Sequence, residues 1–268
     1  MKALFLAFAF LASAFFAAEM DADDFAQLSA AQIVILGETH DNPAHHLLQA
    51  DIVSRLRPKA VVYEMLTPEQ AGSVTSGLVG DQVALEGALG WNAAGWPDFA
   101  MYFPIFKASG DAMVFGAAVP RQVARSAMKD GLATAFGAQA GQFGLNTPLG
   151  PDEQSAREAL QMAAHCDALP EDLLPAMVDI QRLRDARLAQ VALQALQETG
   201  GPVVVITGNG HARKDWGVPA ALAHVQPETA VFAVGQGEDG QAPEGGFDLV
   251  LDAPSVPRAD PCDGFRTN

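Results

Sequence analysis

Two short words in this chain place acids and imidazoles where a sharp turn would display them. Gly37-Glu38-Thr39-His40 follows the apolar run at 32–36, and Gly208-Asn209-Gly210-His211 follows the apolar run at 202–207. Glycine at the head of each word permits a tight backbone turn. Open α/β sheets bind ligands just beyond the carboxyl ends of their strands. A third run, 59–63, delivers Glu64 in the same way. If the three runs are neighbouring strands, Glu38, His40, Glu64 and His211 form one candidate catalytic set. Within it, His40, Glu64 and His211 have the chemistry of a divalent-metal site with open positions. The same groups without metal would serve as a general acid and base.

The elements that must position them follow from hydropathy and punctuation. The runs at 32–36, 59–63, 112–116, 202–207, 229–234 and 247–251 read as short strands. Asn42-Pro43 is an N-cap followed by proline at the first helical position, opening a helix that Pro58 stops. Strand, helix and strand over residues 32–63 make a crossover unit. Alternation continues along the chain. The expected fold is therefore α/β in three layers, a mostly parallel sheet with helices on both faces. A helical insertion is expected over about residues 125–198, containing a glycine-rich loop or lid at 131–150 and a long helix that Pro175 kinks.

At 268 residues with 49% apolar side chains, the chain is one large domain and not a disordered one. The 16 Lys+Arg against 32 Asp+Glu give a net charge of −16, a field that repels phosphate backbones, so nucleic acid is not an expected partner. Two cysteines exclude a disulfide-built scaffold and a thiolate zinc finger. Lys2, the apolar stretch 3–11 and Ala12-Ser13-Ala14 form a secretory leader, taken as residues 1–18, with a single domain over 19–268. In an oxidising exported space, Cys166 and Cys262 are expected to pair.

Other groups could contact a ligand. His45 shares a helix face with Leu48 and Ile52, while His46 lies on the neighbouring face. Tyr102 stands among Phe99, Phe103 and Phe106. Arg121 follows Val119-Pro120 at a turn, and His165-Cys166 ends a helix. Basic residues are scarce, so an anionic ligand would draw on Arg121, Arg125, Arg182, Arg184 or Arg187.

The motif Gly37-Glu38-Thr39-His40-Asp41-Asn42-Pro43, with His45-His46 and Gln49, resembles the ChaN family of haem-binding uptake proteins. That family lies in the Tiki/TraB and erythromycin-esterase-like superfamily. Val62-Tyr63-Glu64-Met65, Val119-Pro120-Arg121, Gln181 with Arg184-Asp185, and Gly208-Asn209-Gly210-His211 with Gly217-Val218-Pro219 extend the likeness across about residues 30–235. The resemblance implies a three-layer α/β fold and an exported, periplasmic haem-binding protein of iron uptake, with haem as cofactor. It also implies an outer-membrane haem receptor or uptake system as partner and a homodimer holding haems face to face. His45, His46, Tyr102, Arg121 and His165 are the candidate haem contacts, and Phe99–Phe106 a candidate apolar wall. In superfamily relatives the paired turns carry metal-dependent hydrolysis. The alternative function is thus a metal-dependent hydrolase using Glu38, His40, Glu64 and His211. The chain departs from the family's lipoproteins in having no cysteine after the apolar leader, so a soluble form is expected.

Overall fold

Four-residue strands with every side chain buried need a layer of helices on each face. The computed structural model of the protein, which describes residues 20–260, 262 and 263, builds that sandwich; the leader expected at 1–18 lies outside the described residues. In chain order the elements are α1 (Ala22–Ser29), β1 (Ile33–Leu36), α2 (Pro43–Leu56), β2 (Ala60–Tyr63), α3 (Pro68–Gly72), α4 (Gln82–Leu89), α5 (Trp91–Ala94), α6 (Phe99–Ser109) and β3 (Met113–Gly116). Then come α7 (Arg121–Asp130), α8 (Leu132–Phe136), α9 (Pro151–Ala164), α10 (Leu174–Thr199), β4 (Val203–Ile206), α11 (Asn209–Ala212), α12 (Val218–Val225), β5 (Val231–Glu238) and β6 (Leu249–Ala253).

The six strands form one sheet in the order β3-β2-β4-β1-β5-β6, and every pair is parallel. Alternate residues face opposite layers. Val34, Leu36, Val61, Tyr63, Val204 and Ile206 pack against α2, α4, α5 and α6, where Tyr63 stacks on Phe106 at 4.3 Å. Ile33, Ile35, Val62, Val203 and Val205 pack against α7, α8, α10 and α12. The three-layer expectation holds, with a sheet that is wholly parallel.

Register places the site. Leu36 pairs with Ile206, and Ile206 with Tyr63, so Gly37, Thr207 and Glu64 emerge level at one rim. The chain leaves β1 towards β2 on one side and reaches β5 on the other, which makes this rim the switch point of the sheet.

Two details differ from expectation. Residues 131–150 are not an open lid: Phe136, Ala140, Phe143 and Leu145 are buried in the second core, with Phe136 and Phe143 rings 5.1 Å apart. Pro175 does not kink a helix, because α10 begins at Leu174 and the proline sits in its first turn. The α10 helix also packs directly on the sheet, contributing Leu183, Ala186 and Ala189 to that core. Cys166 and Cys262 are bonded, with Cα atoms 5.4 Å apart, closing a separation of 96 residues. A loop of that length contributes about 4.7 kcal/mol in the chain-entropy account.

Candidate functional site

Strand parity sends the two carboxylates to opposite sides of the rim. Glu38 follows the β1 positions Val34 and Leu36 and meets the α2–α6 layer. Glu64 follows Val62 and meets α10.

On the first side, Glu38 is buried. Its Oε1 accepts from His40 Nδ1 at 2.8 Å and from the Tyr102 hydroxyl at 2.8 Å, and His46 Nδ1 lies 3.1 Å from Oε2. Burial pushes the Glu38 carboxyl up, but hydrogen bonds to His40 and His46 and their charge outweigh it, holding it down at about 2. Burial lowers His40 and His46, and the bond each makes with Glu38 more than compensates, so both imidazoles are raised. Burial, reinforced by the Glu38 charge, drives the Tyr102 phenol far up, so it stays protonated and donates.

On the second side, His211 Nδ1 donates to Asp185 Oδ1 at 2.6 Å, and its Nε2 lies 3.6 Å from Glu64 Oε1. Glu64 Oε2 accepts from the Thr207 hydroxyl at 2.6 Å and from the Gly208 amide at 3.0 Å. Burial would lower His211, yet the flanking Glu64 and Asp185 charges raise it. Burial would raise Glu64, and His211, His40 and these donors bring it below its ordinary value. Asp185 is raised, burial being the larger influence.

The two glycine turns interlock. The Asn209 amide donates to the Glu38 carbonyl at 2.9 Å. The Asn209 side chain occupies the space where a Cβ on Gly37 would lie, and the His40 ring stands 3.1 Å from the place of a Cβ on Gly208. Each glycine thus makes room for a side chain of the other turn; at Gly37 only a missing Cβ allows the approach, and at Gly208 the fit is tight.

His40, Glu64, Asp185 and His211 line one cavity of about 490 Å³, walled by Trp96, Val119, Leu160, Val178 and Trp216. The His40 side chain is 37% exposed at its edge, 5.2 Å from the Trp96 ring. Its Nδ1 is spent on Glu38, and its Nε2 has no hydrogen-bond partner among the described residues.

The other candidates fare differently. His45 is wholly buried: Nδ1 accepts from the Thr39 amide at 2.9 Å, and Nε2 donates to the Gly237 carbonyl at 3.1 Å. His46 is equally buried, with Nε2 donating to the His40 carbonyl at 2.9 Å. Tyr102 spends its hydroxyl on Glu38. None of the three presents a free donor atom to a ligand; they clamp the first turn in place. Arg121 is exposed at the start of α7, and His165 caps α9 with Nδ1 on the Gln161 carbonyl at 2.8 Å; neither is among the cavity's walls. Phe99 and Phe106 are core residues and not a ligand wall. Among the described residues no group of three His, Cys, Asp or Glu side chains is arranged to hold a metal ion. The divalent site expected on His40, Glu64 and His211 finds no support: His211 Nδ1 belongs to Asp185, and Glu64 Oε2 is taken by Thr207 and Gly208.

Asp185 and Thr207 were missed as site residues. Thr207 carries no signal beyond following a strand. Asp185 has one: it falls on the apolar stripe Val178, Leu188 and Ala192 of α10, where an unpaired acid would be costly.

Fold and rim together define a three-layer, switch-point α/β protein with an acid–imidazole cluster at the carboxyl edge of its sheet. A family described as haem-binding uptake, Tiki superfamily, ChaN, matches residues 25–222, and the chain belongs to that family. Among solved structures, one of cofacial haem binding to ChaN of Campylobacter jejuni shares the fold, with 21% identity and a TM-score of 0.66, covering 87% of this chain and 91% of that one. The type III effector HopBA1 is 12% identical at a TM-score of 0.46, covering 87% of this chain and 92% of its own. An erythromycin esterase mutant in its open conformation is 15% identical at a TM-score of 0.45, covering 82% and 74%. A search of curated proteins finds no match.

Proposed function

We propose that this protein binds haem at the rim cavity, with His40 Nε2 as the atom offered to iron. The observation that carries the reading is the state of His40: one ring nitrogen is pinned by a buried carboxylate, and the other is left open beside Trp96. A carboxylate on the far nitrogen fixes ring orientation and raises the basicity of the near one. Both tyrosines are wholly buried, Tyr63 with its hydroxyl on Ser109 and Tyr102 with its hydroxyl on Glu38, so neither offers a phenolate. Trp96, Val119, Leu160 and Trp216 would face the apolar plate. Haem, when bound, supplies an iron that needs an axial ligand and two propionates that need a counter-charge. Family membership supports the same reading.

The wider role is a proposal of the same kind. The protein is exported by the leader at 1–18 and acts in the periplasm in iron acquisition. There it exchanges haem with an outer-membrane uptake system and pairs two copies to bring two haems together. A formed disulfide suits that oxidising space. Titrating hemin into the full chain tests the haem reading: a shifted Soret band saturating at one haem per chain is expected, and an unchanged hemin spectrum rejects it.

A further inference from the structure

Beyond β6 the chain continues as a strap, residues 254–260, with no helix or strand in it and no buried side chain. Polar contacts hold it down. The Ser255 amide and hydroxyl donate to the Asp239 carboxylate at 3.1 and 2.5 Å, and the Asn42 side chain donates to the Pro254 carbonyl at 2.9 Å. Arg258 makes the largest share of the bonds. Its guanidinium donates to both Asp41 oxygens at 2.7 Å and to Glu238 through two further bonds of 2.7 Å. Glu238 in turn accepts from the Asn42 side chain at 2.6 Å. Asp41 and Asn42 directly follow His40, so the strap is fastened to the turn that carries the open imidazole nitrogen. Beyond Arg258 the chain comes to Cys262, which is bonded to Cys166 just past the end of α9. That helix supplies Leu160, Gln161 and Ala164 to the wall of the rim cavity. The stretch from 258 to 262 spans at most about 14 Å, so the strap ties the His40 side of the cavity to its α9 side.

Ion pairs at a protein surface are weak one at a time. A covalent tether nearby keeps the partners at high effective concentration, so the grip of Arg258 depends on the disulfide. Both cysteines are half-buried, which leaves the bond within reach of an attacking thiolate. We propose that the strap is a redox-released latch on the rim cavity: with the Cys166–Cys262 bond closed, Arg258 holds the His40 turn and the ligand is retained, and exchange with an external dithiol frees both. One thiolate of the dithiol attacks a sulfur of the bond to form a mixed disulfide, and its second thiol resolves that intermediate. The dithiol leaves oxidised, and Cys166 and Cys262 are left as thiols, having gained two electrons and two protons between them. Arg258 is a positioning residue in this scheme, acting on His40 through Asp41. Retention of the ligand rests on the haem reading; release of the turn does not.

Amide hydrogen exchange of the full chain without haem, recorded with and without dithiothreitol, tests the latch directly. The amides of Thr39, Asn42, Ala44 and Ser255 are hydrogen-bonded in the closed arrangement. Reduction, followed by counting the thiols released, should raise exchange at least tenfold at these four positions while β1, β2 and β4 keep their protection. Arg258→Gln should expose the turn to the same degree with the bond intact, and reduction should then add little. Arg258→Lys, which keeps the charge without the fork, should restore part of the protection. A second arm follows transfer of hemin to excess apomyoglobin, whose rate should rise at least tenfold on reduction and in Arg258→Gln. A bond that dithiothreitol leaves closed in the folded chain overturns the proposal, and so does a turn that stays fully protected after reduction or in Arg258→Gln. Exchange rising equally across the sheet would make the disulfide a staple of the whole fold, which contradicts a local latch. Hemin that binds but leaves at one rate from every form refutes retention. Hemin failing to bind at all sinks the haem reading alone, because the exchange arm decides the latch by itself.

Discussion

The two Gly-x-x-His turns are nearly the same word, yet the structure gives their histidines opposite conditions. His211 is buried, with Asp185 on one ring nitrogen and Glu64 beside the other. His40 is pinned on one nitrogen only and stands half open at the cavity. The difference comes from the neighbours and not from the words. The second turn meets α10, which carries an acid on its apolar stripe, while the first meets Trp96 and empty space. One histidine is therefore held on both ring nitrogens and the other keeps one nitrogen open to the cavity, and each can be broken separately.

The largest expected effect is on the closed side. His211→Ala leaves Asp185 and Glu64 buried without their shared partner, a loss of about 3–5 kcal/mol. Thermal or urea unfolding measures it, and a melting curve like wild type would show that the relay is not structural. Gly37→Ala attacks the interlock, because a Cβ there meets the Asn209 side chain and the Val234 carbonyl at 3.0 Å. Overpacking of this kind costs about 1–3 kcal/mol, and a neutral result in urea unfolding would contradict the interlock. Gly208→Ala is milder for stability, since the ring it meets at 3.1 Å is half exposed and able to move. It should cost under about 1 kcal/mol while weakening hemin binding several-fold; unaltered hemin affinity would mean that the position of His40 does not matter.

The smallest effect sharpens the comparison through pH. Glu38 is held at about 2 against an ordinary 4.5, so its stabilisation is present above 4.5 and is lost as pH falls towards 2. His40, His46 and His211 are raised from 6.5, so their contribution is full below 6.5 and fades as pH rises through their higher folded values. Melting temperature should therefore peak between about pH 4.5 and 6.5 and decline on both sides. Glu38→Gln should flatten the acid limb, and an acid limb identical to wild type would refute its assignment.

Much of this arrangement was legible in the sequence because it rests on local rules. Apolar runs of four or five residues marked β1, β2 and β4, and Asn42-Pro43 marked the start of α2. The glycines ahead of His40 and His211 pointed to turns at strand ends. What remained hidden depends on long-range packing. Sequence spacing could not tell that His45 would be consumed by the Gly237 carbonyl, 192 residues away. Nor could it tell that Phe143 and Leu145 would turn a glycine-rich stretch into core. Helix α1 escaped notice because its eight residues carry one buried side chain, Leu28, and its acids read as surface. Asp185 was readable in principle from its place on an apolar stripe, but its partner lies 26 residues on and across a sheet rim.

The central claim is the division of labour between the two turns, and a crossed measurement on one pair of variants tests it. Hemin absorbance and melting temperature are recorded for His40→Ala and His211→Ala in the same buffer. The account predicts that His40→Ala loses the Soret shift with a modest fall in melting temperature, because Glu38 keeps Tyr102 and His46, whereas His211→Ala melts far lower. A His40→Ala protein that keeps the wild-type Soret shift, or a His211→Ala protein that melts like wild type, would contradict it.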